Sequence, residues 1–222
     1  ISSLDWGKGE TKVMLWSQMH GNESTATMAL FDLFNFLEGK GDQYDSFRQL
    51  LNSQLKLKFI PMLNPDGADV FKRRNALDID LNRDAISLIS PEAVVLKKAR
   101  DDFEPEFGFN LHDQQIYYNV VNTPKQATIS LLAPAYNEAT EINEVRGRAM
   151  QTIASMNQLL QALIPGQVGK YDDAFEPRAF GDNIQKWGTS TILIESGGLV
   201  GDPEKQEVRK INFMLLLDAL YT

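Results

Sequence analysis

Short apolar runs of strand type alternate along this chain with longer stretches whose apolar residues recur at helical spacing. No repeat or low-complexity linker interrupts the alternation. Residues 12–17 (KVMLWS) form such a run, ended by Met19-His20-Gly21-Asn22. From Glu23 the period changes, and Met28, Phe31, Leu33, Phe34 and Leu37 make one helical face closed by Gly39 and Gly41. Leu55, Leu57 and Phe59 alternate with Lys56 and Lys58, which predicts a strand. Asn64-Pro65-Asp66-Gly67 predicts a turn, because proline presets φ and glycine accepts φ > 0. Ser90-Pro91-Glu92 opens a helix with Ser90 as N-cap and Pro91 at the first helical position. Residues 107–111 predict a strand delivering His112, and residues 127–132 another. The longest helix is predicted over 137–163, broken by Pro165-Gly166. Residues 189–194 (TSTILI) read as a buried strand ending at Glu195, and 203–220 as a closing helix. This pattern predicts an α/β fold, a twisted central sheet with helices covering both faces. The 222 residues fit one such domain, 1–222.

Polar residues with chemical potential stand where strands end: His20, Asn64, His112 and Glu195. In open α/β sheets the ligand crevice lies at the carboxyl ends of the strands, so one site built from distant segments is expected. The absence of cysteine excludes a disulfide scaffold, a Cys-ligated zinc site and a thiol nucleophile, without fixing a compartment. With two histidines in the chain, any imidazole chemistry involves His20, His112 or both. Twenty-two Lys and Arg against 30 Asp and Glu leave a net charge of −8, which opposes a nucleic acid or anionic membrane partner. No apolar run approaches the ~18–20 residues that span a bilayer. The chain opens on Ile1, almost inside a strand, with no basic or apolar leader pattern, so a trimmed fragment of a longer chain is expected.

His20 and Glu23 are three residues apart across a strand-to-helix junction, where both side chains can reach one metal ion. Imidazole nitrogen and carboxylate oxygen without sulfur suit Zn²⁺, and a catalytic zinc site uses three protein ligands plus water. The third ligand must come from elsewhere, and His112 is the only other imidazole. Taken alone, such a pair is more often a solvated polar corner than a ligand set. Glu195 alone is likewise compatible with a strand-end carboxylate capping the next turn.

Five further segments follow His20-Gly21-Asn22-Glu23: Asn64-Pro65-Asp66-Gly67, Arg73-Arg74-Asn75-Ala76, Asp80-Leu81-Asn82-Arg83, Leu111-His112-Asp113 and Leu193-Ile194-Glu195-Ser196-Gly197. In this order, from about residue 12 to about residue 220, the set resembles the zinc carboxypeptidase family, the carboxypeptidase A-like metallopeptidases. The resemblance implies a mixed sheet and one Zn²⁺ per chain held by His20, Glu23 and His112. Glu195 then matches the general base and Arg73 the arginine that polarises the scissile carbonyl, since Asn75 fits the family's Arg-x-Asn. Asn82 and Arg83 match the pair that grips a substrate's terminal carboxylate, with Arg74 beside them; a guanidinium fork suits that planar anion. Asp80 matches the carboxylate that receives the other ring N–H of the first zinc histidine, here His20. The 64–67 turn is expected to shape the loop presenting Arg73.

Family members are usually longer and carry strands ahead of the His-x-x-Glu strand that are expected to be missing here. Their mobile tyrosine lies some two dozen residues before the catalytic glutamate; Tyr171 stands at that distance but in a different local context. Asp113 replaces the small hydroxyl residue common after the second zinc histidine. The expected activity is zinc-dependent removal of a C-terminal residue from a peptide. Two alternatives stand beside it: a zinc deacylase or amidase acting on acylated amino acids or cell-wall peptides, and a non-catalytic binding domain of the same fold. The substrate in either enzymatic case is a peptide or acyl-amino acid with a free carboxylate. The resemblance also implies a secreted or periplasmic location.

Overall fold

The computed structural model describes residues 1–222. Its strands are β1 (Leu4–Trp6), β2 (Thr11–Ser17), β3 (Leu55–Ile60), β4 (Phe107–Asp113), β5 (Ile129–Leu132), β6 (Val168–Lys170) and β7 (Ser190–Ser196). They form one sheet in the order β1-β3-β2-β4-β7-β5-β6. The central strands β3, β2, β4 and β7 are parallel. β1 runs antiparallel to β3 and β5 antiparallel to β7, while β6 is parallel to β5. The sheet is therefore mixed.

Alternation along the strands divides the core between the two faces. Val13 and Leu15 of β2 pack with Leu30 and Leu33 of α1 (Thr25–Glu38) and Leu215 of α7 (Gln206–Tyr221). Met14 and Trp16, between them in sequence, pack on the other side with Leu96 of α4 (Pro91–Phe103) and with Phe180 and Ile184 of α6 (Phe180–Lys186). Helices thus cover both faces, as the alternating pattern predicts. Every residue of β7 is buried, as befits a strand with neighbours at both edges and helices on both sides. Trp16 is wholly enclosed, and truncating it to alanine would cost about 3–5 kcal/mol. No helix is long and apolar enough to cross a membrane.

Ser90 caps α4 by accepting the Ala93 N–H, with Pro91 in the first turn. Elsewhere local polar chemistry moves boundaries away from the periodicity. The longest helix, α5, begins at Glu144 rather than 137, because the Asn143 side chain accepts the Arg146 N–H at 2.9 Å and starts the helix there. Ahead of it, Thr140 is left-handed (φ 51°) and Asn137 Oδ1 accepts the Glu141 N–H, so the segment folds back on itself. Residues 64–67 are not a free-standing turn: Asn64 caps the short helix α3 (Pro65–Asp69) by accepting the Gly67 N–H at 2.9 Å. Gly67 is needed there for space rather than for a positive φ. A Cβ on it would lie 2.5 Å from Asn64 Nδ2 and 2.8 Å from the carbonyl oxygens of Lys72 and Arg74. β6, α6 and α2 (Asp45–Gln54) carry no pattern that predicts them, and β1 lies where the chain opens almost inside a strand. β1 does precede the His-x-x-Glu strand, paired to the outer side of β3.

Candidate metal centre and active site

Because β2, β4 and β7 are parallel, their carboxyl ends lie at one edge of the sheet. Across it, His112 and Glu195 are register partners, as are Asp113 and Ser196. Beyond β2 the chain turns through His20 into α1, and the Glu23 N–H donates to the His20 carbonyl at 3.0 Å, which folds Glu23 back over His20. His20, Glu23 and His112 are all buried, and their ligand atoms lie within 4.8 Å of one another. The Nδ1 atoms of the two histidines stand 3.2 Å apart, each 2.7 Å from one oxygen of the Glu23 carboxylate. Asp113 adds a backbone N–H donated to Glu23 Oε2 at 3.2 Å.

Two imidazole lone pairs directed at one point repel unless a proton or a cation sits between them. Three convergent donors of N, N and O type, one of them a carboxylate, fit Zn²⁺. Burial would raise the Glu23 carboxyl, but the adjacent His112 and His20 hold it well below the usual carboxylate range, so it supplies the charge a metal requires.

The loop between α3 and Leu81 supplies the surroundings of His20. Asn75 Oδ1 accepts the N–H groups of Leu77 and Ile79 and reverses the chain, bringing Arg73 and Asp80 together at 3.1 Å. Asp80 Oδ1 lies 3.1 Å from His20 Nε2, a contact that orients the ring and makes Nδ1 the atom facing Glu23. Desolvation opposes the charge on Asp80, yet its contacts with His20 and Arg73 keep it well below the ordinary carboxylate value. For His20 burial favours the neutral ring, but its hydrogen bonds to the Asp80 and Glu23 carboxylates outweigh it and raise the imidazole. The other ring nitrogen of His112, Nε2, is buried without a partner.

Arg73 leans over the ligand set, its Nη1 3.1 Å from His20 Nδ1 and 3.3 Å from Glu23 Oε1. Its backbone carbonyl is held by Asn64 Nδ2 at 3.2 Å and by the Gly21 N–H at 3.4 Å. Asn64 thus ties the helix it caps to the arginine it presents. Arg74 turns the other way: it donates to the Asp78 carbonyl at 2.7 Å, is half-exposed and takes no part in the cleft. The structure therefore separates the two adjacent arginines and does not place Arg74 with Asn82 and Arg83.

A cleft of about 620 Å³ opens over these residues and contains Glu195, Asn82, Arg83 and Tyr171. Glu195 has no hydrogen-bonding partner in the protein; burial pushes its carboxyl up to about 7, against the pull of His112 and with the push of Glu23 and Asp113. Asn82 Oδ1 accepts the Phe180 N–H at 2.9 Å, and Arg83 is held between the Asn82 carbonyl at 2.7 Å and Glu176 at 3.2 Å. Burial, then the charge of Glu195, pushes the Tyr171 hydroxyl up to about 12.

Asn110, Asp182 and Lys205 are among the cleft residues that escape the motif reading. Asn110 is buried at the cleft floor with no partner for its Oδ1. Its position two residues before His112, on the same face of β4, is a signal the sequence did contain. Asp182 and Lys205 also line the cleft. Burial pushes Asp182 up to about 6. Nothing in the sequence marks Lys205.

A family model described as zinc carboxypeptidase matches residues 1–85. "Probable carboxypeptidase 2" of Trichophyton verrucosum is 24% identical over 163 residues, covering 72% of this chain and 28% of that protein. The chain thus spans little more than a quarter of that curated relative. A metallo-carboxypeptidase from Pseudomonas aeruginosa superposes with a TM-score of 0.73 at 19% identity, over 99% of this chain and 60% of that one. The ectoine utilization protein EutE (DoeB) of Ruegeria pomeroyi shares the fold at a TM-score of 0.69 and 13% identity, over 98% of this chain and 59% of that one. In sequence over its first 85 residues, and in fold over nearly its whole length, the chain is similar to the zinc carboxypeptidases, as its ordered motifs indicate.

Proposed function

We propose that this chain carries a zinc metallocarboxypeptidase site that hydrolyses the C-terminal peptide bond of a peptide. His20, Glu23 and His112 would hold a zinc ion, which would supply Lewis acidity to the cleft. Glu195, unpartnered and tuned to about 7, takes a proton from the attacking water and delivers it to the departing amine. Arg73 carries guanidinium N–H groups at the rim of the ligand set, where negative charge develops on the carbonyl oxygen. Arg83, with the free NH₂ of Asn82, receives the substrate's terminal carboxylate. Tyr171 stands in the same cleft as a neutral hydroxyl donor.

The observation that carries this reading is the convergence, in one cleft, of the buried His20–Glu23–His112 set with the Glu195 carboxylate, which makes no hydrogen bond, and with Arg73 and Arg83. Zinc-loaded protein should hydrolyse peptides with a free C-terminus and leave the same peptides untouched when amidated. Equal turnover of the amidated peptides would sink the carboxypeptidase assignment. A second reading, removal of an acyl group from an amino acid, is favoured by the likeness of fold to a succinylglutamate desuccinylase/aspartoacylase from Rhodobacter sphaeroides (TM-score 0.59, 17% identity). N-acyl amino acids in the same assay separate the two. Zinc uptake with no turnover of either class would leave a non-catalytic binding domain.

A further inference from the structure

Asp113 and Ser196 follow His112 and Glu195 directly, and as register partners they end β4 and β7 side by side. Both are pinned to the helices behind the cleft. Asp113 Oδ2 accepts from the Thr25 hydroxyl at 2.5 Å, at the start of α1, and from Lys205 Nζ at 3.0 Å, at the start of α7. Lys205 Nζ also donates to the Ser196 carbonyl at 3.3 Å, and Asn212 Nδ2 donates to Ser196 Oγ at 2.9 Å. Meanwhile the Asp113 N–H holds Glu23. Asp113, through its carboxylate and N–H and with Lys205 as the bridge, therefore joins the segments that carry Glu23, His112 and Glu195. A small hydroxyl residue at position 113 would be too short to do so.

Lys205 is the tightest point of this arrangement. The chain leaves Glu195 through Gly197, Gly198 and Gly201, held by Thr128 at the Gly198 carbonyl and by Asp202 at the start of α7, and returns at Lys205. Lys205 is itself left-handed (φ 52°), a conformation costly for any residue with a Cβ and one that persists only where its surroundings impose it. Its N–H donates to the Asp202 carbonyl at 3.1 Å, and its ammonium is largely buried and paired with Asp113 at 3.0 Å.

We propose that Lys205 is a positioning residue: by binding Asp113 and the Ser196 carbonyl together, it holds the strand end bearing Glu195 in register with the metal ligands. It lines the cleft, but its ammonium is engaged by Asp113 and the Ser196 carbonyl. The kinetic consequence rests on the carboxypeptidase reading; the effect on metal retention does not.

The test compares Lys205→Met, Lys205→Gly and Lys205→Arg with wild type in the full chain. Lys205→Gly removes the ammonium while relieving the left-handed backbone, so folding is not the casualty. In zinc-loaded protein, kcat on a peptide with a free C-terminus should fall about tenfold in the Met and Gly variants with KM within about twofold. Zinc release to a chromophoric chelator should accelerate about tenfold in both, and Lys205→Arg should restore both quantities. Wild-type kcat and zinc release in the Met and Gly variants, whatever their melting temperatures, would overturn the proposal. A rise in KM at constant kcat would overturn it too, making Lys205 a substrate contact. If the wild type hydrolyses no peptide, the carboxypeptidase reading fails and zinc release alone decides on Lys205.

Discussion

Glu195 and His112 face each other across two strands, and substitutions should separate their roles. Glu195→Gln keeps the shape and loses the base: zinc should stay at one per chain by elemental analysis while kcat drops by about 10²–10⁴-fold. Wild-type rates would remove Glu195 from the mechanism. His112→Ala removes a ligand, and its zinc stoichiometry after dialysis should fall. Asp182 makes a prediction about pH. Its carboxyl is pushed up to about 6 by burial, so the folded state prefers the proton. That contribution to stability is full below about pH 4 and is lost as pH rises through 6. Asp182→Asn keeps an acceptor for the Glu176 N–H that Asp182 Oδ1 now holds. It should stabilise the metal-free protein above pH 6 by up to about 2 kcal/mol, allowing for partial exposure, and have no such effect at pH 4. Urea titrations at the two pH values check the sign. At this scale the sequence carried much of the site, because His20, Glu23, Asp80 and His112 sit in short ordered motifs. It could not separate Arg73 from Arg74, whose difference is made by where Asn64 and Asp78 hold the backbone and side chain.

Among the elements, those with long or strongly alternating patterns were legible and the short ones were not. β3 has its apolar residues at every second position, and β7 is a continuous apolar run, so both were predicted within a residue or two. β6 is three residues containing a glycine, and α6 carries glycine in its first turn; neither has enough length for a period to emerge. They exist because tertiary packing supplies what local preference does not: Phe180 and Ile184 of α6 are wholly buried against Trp16 and its neighbours. Asn64 is where an element and the site meet, since it caps α3 and also holds the Met19 and Arg73 carbonyls. Asn64→Ala should destabilise by about 2–3 kcal/mol, the sum of a lost cap and buried carbonyls left short of donors. Asn64→Asp keeps the cap but cannot donate, so it should recover only part of that loss. Denaturation midpoints of the two variants against wild type decide whether the donor half matters.

For the whole molecule, the candidate metal ligands join the end of β2 and the entry to α1 with the end of β4, so zinc bound there should act on global stability. At a zinc concentration one hundred times its dissociation constant the folded state gains about 2.7 kcal/mol. Chelation should lower the melting temperature, and His20→Ala should abolish the difference between zinc-loaded and chelated protein. The sheet order has a further consequence. β7 follows β5 and β6 in the chain but lies between β4 and β5 in the sheet, so the last strand made is inserted into the middle. The three candidate metal ligands are all made by His112, whereas Glu195 comes only with β7. On the proposed reading, a zinc site would be complete in the growing chain before the candidate base exists. Hydrolysis would then wait for the strand that fills the central gap.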